Sequence, residues 1–181
     1  MIVRSATPAD AVAIARIYAH HVRQGLGTFE DAPPDTDEMV GRIVAVTERG
    51  LPWLVADDGE VAGYAYVSPF RTRAAYRYVV EDSVYVAPER AGRGVGKALL
   101  GTLIERCDGL GLRQMIAIIG DSGNQGSIRL HASLGFDHIG VAPAVGWKHG
   151  RWVDVVWMQR ALGPGADEAP GQLDVGPAPS R

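Results

Sequence analysis

Cysteine is nearly absent. The single thiol among 181 residues, Cys107, has no partner for an intrachain disulfide, and without paired cysteines the five histidines make no set of the kind that structural zinc requires. That usage points to a reducing compartment, the cytoplasm. Excess positive charge is also missing: 18 Lys and Arg against 21 Asp and Glu give a net charge of -3. No global positive field is available to hold a phosphate backbone, which argues against non-specific nucleic-acid binding. There is no long apolar run either. The N-terminal stretch carries Arg4, Asp10 and Arg16 inside its apolar residues and reads as neither a signal peptide nor a spanning helix. What remains is a soluble intracellular chain, 46% hydrophobic and long enough for one domain with its own core.

Glycine and proline are plentiful, 23 and 11, and they divide the chain into elements. Residues 2–4 read as a short strand. Thr7 before Pro8 then marks a helix start, with Val12, Ala13, Ile17 and Tyr18 at helical spacing as far as Gly25. A second helix opens after Pro33 and Pro34, with Met39, Ile43 and Val46 on one stripe. Residues 53–56 and 61–67 form a hairpin around Asp57, Asp58 and Gly59. After an Arg- and Tyr-rich loop, 79–87 is a third strand of that meander. A helix follows over 95–107, an apolar strand buried on both faces over 115–119, a helix over 125–134, and two strands around 136–141 and 152–159. The order strand, two helices, three strands, helix, strand, helix, two strands predicts an α/β fold: a mixed central sheet of about seven strands, flanked by helices on both faces. The domain spans 1–162, and the Gly/Pro-rich segment 163–181 reads as a disordered tail.

The richest segment is the glycine turn after the third strand of the meander. Gly92, Gly94 and Gly96 alternate just where a helix begins, and Arg90, Arg93 and Lys97 surround them. Free backbone N–H groups at a helix start, next to the positive end of its dipole, make an anion site, and glycine admits the ligand to the main chain. The expected ligand is a phosphate or pyrophosphate. A Walker loop is rejected because Ala91 stands where it needs glycine and Ala98 where it needs Ser or Thr. A dinucleotide fingerprint is rejected because Lys97 or Leu99 occupies the place of its third glycine.

The turn resembles the acyl-CoA pyrophosphate loop of the GCN5-related N-acetyltransferase (GNAT) superfamily, Gln or Arg, two residues, Gly, one residue, Gly or Ala. It departs from that pattern at Ala91. The stretch from Asn124 through His131 to Gly135 and Phe136 is similar to the superfamily's next motif. With Glu81 to Val86 and Gly146 to Val155, the whole resembles the phosphinothricin and methionine-sulfone acetyltransferase subfamily, over residue 2 to about 162. The resemblance implies the GNAT acyltransferase fold, acetyl-CoA as co-substrate without a metal, a homodimer, and acetylation of a small amino-acid-like amine. Val84, Tyr85, Val86, Gly92, Arg93, Gly94, Val95, Gly96, Lys97 and Asn124 would hold the cofactor.

Acetyl transfer needs a neutral amine, a polarised thioester carbonyl and an outlet for the thiolate. Glu81 is the candidate base, on the strand that leads into the cofactor loop; alternation puts it on one face with Ser83 and Tyr85, and Asp82, Val84 and Val86 on the other. His131 stands where many superfamily members carry a tyrosine proposed to protonate the thiolate, and is a candidate acid or substrate ligand. Arg71, Arg73, Tyr76 and Arg77 lie in the loop before Glu81, and arginine forks suit a carboxylate, phosphinate or sulfone. Of these, Arg73, Tyr76 and Arg77, with Phe29 from the loop between the first two helices, are the candidate acceptor contacts. A polyamine or protein-terminus acetyltransferase and a non-catalytic acyl-CoA sensor stay open as alternatives.

Overall fold

Thr7 opens the first helix as its neighbours imply: the Thr7 N–H and hydroxyl both donate to the Asp10 carboxylate, at 2.8 and 3.0 Å, closing a 3-10 turn over Pro8–Asp10. In the computed structural model, which describes residues 1–173, 175 and 176, the elements run β1 (Ile2–Ser5), α1 (Ala11–Gln24), α2 (Thr36–Thr47), β2 (Trp53–Asp57), β3 (Val61–Pro69), β4 (Val79–Val86), α3 (Val95–Gly109), β5 (Gln114–Gly120), α4 (Gln125–Ser133), β6 (Asp137–Lys148) and β7 (Arg151–Ala161). They form one seven-stranded sheet in the order β1-β2-β3-β4-β5-β7-β6, antiparallel throughout except for the parallel pair β4 and β5. The expected mixed α/β sheet is therefore observed. No helix among the described residues is long and apolar enough to cross a membrane.

Each face of the sheet has its own core. On one side α3 buries Leu99, Leu100 and Leu103 against Leu54, Ala65, Val67, Val80 and Met115. On the other, Ile14, Tyr18, Val22, Met39 and Ile43 of α1 and α2 pack on Trp53, Val55 and Tyr64. A fully buried leucine contributes about 1.5–3 kcal/mol by leaving water. Val12, placed on the buried stripe by sequence spacing, is 67% exposed, and Ile14 takes the inward position. At 3.6 residues per turn Val12 falls about 140° round α1 from Ile17, off the stripe of Ala11, Ile14, Ala15, Tyr18 and Val22 that faces the core.

Two terminal strands run further than sequence signals suggest. β6 passes straight through Pro143, which an edge strand tolerates because no neighbour needs the missing N–H. A register shift between Ala142 and Gly146 absorbs it, and Ala144, in the left-handed region at φ 53°, donates its N–H to Asp154 at 2.9 Å. The expectation of a disordered tail does not describe residues 163–173, 175 and 176. Gly163 N–H donates to Asp108 (2.8 Å), Tyr78 hydroxyl to the Gly171 carbonyl (3.1 Å) and Gly176 N–H to the Arg49 carbonyl (2.9 Å), while Leu173 and Val175 pack on the α3-side core. Two apolar anchors suffice where average composition argues for none. Residues 174 and 177–181, which the same expectation covers, lie outside the described residues.

Candidate active site

β4 and β5 pair only from Val79 opposite Gln114 to Asp82 opposite Ala117. Beyond that point β4 stays with β3 as far as Val86, and β5 stays with β7 as far as Gly120. The two central strands part, and the β5-facing backbone groups from Ser83 to Val86 have no strand beside them. A cleft of about 550 Å³ fills the gap. Val84, Tyr85 and Val86 form one wall, Ile118, Ile119 and Gly120 the other, with the glycine turn at its mouth and Asn124, Ser127 and Leu130 of the α4 region beside it.

The turn is built as its glycines require. Gly92 and Gly94 have φ of 73° and 81°, the left-handed region that costs glycine little and other residues more. Gly94 is the N-cap of α3, so the N–H groups that follow it have no partner inside the helix and are free for an anion. A Cβ on Gly96 would stand 3.1 Å from a Leu130 methyl and 3.6 Å from a Val86 methyl, so this glycine lets α3 close on α4 and β4. Gly92, Gly94, Val95, Gly96, Lys97 and Asn124 all line the cleft. Arg93 is not in its wall. Arg90 is, although its guanidinium also meets Asp58 at 2.8 Å. Tyr85 contributes backbone here, since its ring is buried against Tyr18 and His21. The His21 Nε2 lies 2.9 Å from the Val86 carbonyl; burial pushes the His21 pKa down, so a neutral ring donates this bond.

His131 is buried at 3% exposure. Its Nε2 lies 3.0 Å from Asp82 and its Nδ1 2.8 Å from the Ser127 carbonyl. Both partners are acceptors, so the ring satisfies both when it carries both protons. Burial works to lower its pKa, but the hydrogen bond and charge of Asp82, helped by the Ser127 carbonyl, hold it above the ordinary value. The pair ties α4 to β4, and both residues line the cleft.

Glu81 points to the opposite face, as strand alternation requires. It does not line the cleft but stands one residue before Asp82, where the strands begin to part. Burial raises its pKa, partly offset by Arg71 and reinforced by Asp82. Arg71 lies 3.9 Å away and stacks over Phe70 at 4.1 Å, and Phe70 meets Tyr76 and Trp157 edge-on at 5.6 and 6.0 Å. A basic carboxylate, one arginine and three aromatics thus share a surface. Phe29 lies apart, its ring pressed on Gly146 so closely that a Cβ there would overlap it. Its loop is fixed by the Tyr18 hydroxyl on Thr28 (2.8 Å) and by the Lys148 ammonium donating to the Thr28 carbonyl (2.7 Å). Arg73 and Arg77 do not join the Glu81 cluster; they line a different cavity.

Residues 14–136 match the model of the acetyltransferase (GNAT) family. The chain belongs to that family. It is 54% identical over 162 residues to a phosphinothricin N-acetyltransferase of Alcaligenes faecalis, covering 89% of this chain and 82% of the relative. An L-methionine sulfoximine/L-methionine sulfone acetyltransferase of Salmonella typhimurium is 42% identical, over 90% of this chain and 95% of its own. The crystal structure of a phosphinothricin acetyltransferase from Sinorhizobium meliloti in complex with AcCoA superposes with a TM-score of 0.92 at 47% identity, covering 98% and 96% of the two chains.

This GNAT member is an acetyltransferase that uses acetyl-CoA. Its cleft fits that cofactor on its own geometry: unpaired strand edges for an amide-bearing arm, and free helix N–H groups behind glycines for a pyrophosphate. Asp82, His21 and Trp157 were not legible as site residues. Asp82 did leave a trace, as a lone acid on the apolar face shared with Val84 and Val86.

Proposed function

We propose that this enzyme moves the acetyl group of acetyl-CoA to the α-amino group of a small amino-acid-like acceptor of the phosphinothricin or methionine sulfone type. The observation that carries the reading is the position of Glu81, a half-buried carboxylate of raised pKa beside the point where β4 and β5 part. The cofactor supplies an activated thioester. Glu81 accepts the proton of the acceptor ammonium, directly or through water, and the freed amine forms the C–N bond as the C–S bond breaks. Backbone N–H groups on the open β4 edge polarise the thioester oxygen, and the departing thiolate takes up, directly or through water, the proton that the new amide nitrogen gives up. Arg71 supplies a cation for the acceptor's anionic group, and Phe70, Tyr76 and Trp157 wall its apolar part. His131 acts as a positioning residue, since both ring nitrogens are already engaged.

The names of the relatives support this acceptor class. The deciding measurement is thiol release with methionine sulfone, phosphinothricin and spermidine. A higher kcat/KM for the two amino-acid analogues is expected. A preference for spermidine would return the polyamine reading, and CoA binding without turnover on any amine would identify a sensor. The single buried thiol supports a cytoplasmic enzyme. An exposed apolar strip on the terminal hairpin, Ile139, Val141, Val145, Trp147 and Trp152, supports a homodimer. Light scattering should give twice the chain mass, and Trp152→Arg should halve it.

A further inference from the structure

Away from the cleft, the loop after β3 and the last described residues enclose a second cavity of about 420 Å³. Its apolar lining includes Leu51, Val80, Leu112, Leu173 and Val175 from the α3-side core, with Pro69 and Val79 beside them. Glu81, the neighbour of Val80, points to the other face and does not line this cavity, which shares Arg71 with the acceptor surface. Arg71, Arg73 and Arg77 line it as well, and among its described lining residues there is no Asp or Glu. The Arg73 guanidinium makes no ion pair or hydrogen bond among the described residues, and Arg77 spends one N–H on the Ala74 carbonyl at 3.0 Å.

Arg71 already faces Glu81 at 3.9 Å, whereas Arg73 and Arg77 meet no carboxylate among the described residues, and an anion set between these two would supply one. An inorganic anion would meet the arginines and leave the apolar lining uncovered. A ligand with a carboxylate at one end and a hydrocarbon body at the other satisfies both, and the volume lies in the ordinary range of small-molecule sites. We propose that this cavity is a second binding site, beside the acceptor surface, for a small amphipathic carboxylate, with Arg73 and Arg77 on the carboxylate and Leu51, Val80 and Leu112 around the hydrocarbon.

The test is a titration of the full chain with octanoate, followed by calorimetry and by methyl NMR. Saturable 1:1 binding is expected, with shifts at Val80, Leu112 and Leu173 that persist when acetyl-CoA and methionine sulfone are present at saturation. Octan-1-ol, which lacks the charge, should bind at least about tenfold more weakly, as should octanoate to an Arg73→Gln, Arg77→Gln double variant, because charge-assisted hydrogen bonds are lost. Both arginines are on the surface loop, and the variant's CoA affinity reports that it is folded. Uptake that does not saturate, equal affinity for octan-1-ol, or undiminished binding in the double variant would overturn the site. So would displacement by methionine sulfone, which would merge this cavity with the acceptor surface while leaving the acetyl-transfer reading intact. A chain that binds octanoate but acetylates no amine would do the reverse.

Discussion

The cofactor cleft and the loop of residues 69–77 recognise ligands in opposite ways. The cleft is made of main chain: strand edges left open by the parting of β4 and β5, a helix start, and glycines at φ of 73° and 81°. The loop is made of long side chains: Arg71, Arg73 and Arg77 all line the second cavity, and Arg71 alone also stands beside Glu81. Backbone recognition is fixed by the fold and serves a ligand common to a whole family. Side-chain recognition is adjustable and serves what distinguishes one member from another.

The sharpest way to test that division is to alter the reacting group without altering the cleft. Glu81→Gln keeps the shape and removes the base, so turnover at neutral pH should fall by about 10²- to 10⁴-fold while the CoA dissociation constant stays near its original value. A rate unchanged in stopped-flow thiol release would remove Glu81 from the chemistry. Gly96→Glu should do the converse. Its side chain meets Leu130 and Val86 and brings a negative charge to the anion site, so calorimetry should show CoA affinity down by about 100-fold or more.

Asp82→Asn probes the wall between the two regions. The His131 pKa stands above its unfolded value of 6.5, because Asp82 and the Ser127 carbonyl outweigh burial. A raised folded pKa gives stability that is fully present below 6.5 and is lost as pH rises through the folded value. The melting temperature of the unaltered protein should therefore decline through that window. In Asp82→Asn the decline should flatten, with a loss of about 1–3 kcal/mol at pH 6. An identical pH profile in the two proteins would mean that His131 is neutral. The smallest effect should separate the loop's arginines. Arg71→Ala should raise the acceptor KM about tenfold, and Arg73→Ala should raise it less, with KM for acetyl-CoA unmoved in both. Equal effects would place Arg73 on the acceptor surface after all.

Much of this was legible in the sequence, and the exceptions share a cause. Glycines 92, 94 and 96, the strand alternation that separates Glu81 from Asp82, and the order of elements are local, and local signals survive reading one residue at a time. Partnerships across the chain do not. His131 meets Asp82 from 49 residues away, Trp157 reaches Phe70 across two strands, and Leu173 and Val175 find the α3-side core from a segment whose composition argues for disorder. The loop arginines were visible as a group, but that Arg71 alone also meets Glu81 follows from where its flexible stem reaches. Val12 failed for a smaller reason: five residues from Ile17, it sits well round the helix from the stripe of Ile14, Tyr18 and Val22.

The parting of β4 and β5 has a consequence for how long the protein lasts. A sheet normally closes its interior strands on each other, whereas here a length of backbone in the middle of the molecule waits for a small molecule to complete it. Every cofactor bound adds to folding stability by mass action, about 2.7 kcal/mol at a hundred times the dissociation constant. When acyl-CoA is scarce the β5-facing amides among residues 83–86 should exchange freely with solvent, and the chain should become easier to unfold and to degrade. The lifetime of the enzyme would then track the supply of its own acetyl donor.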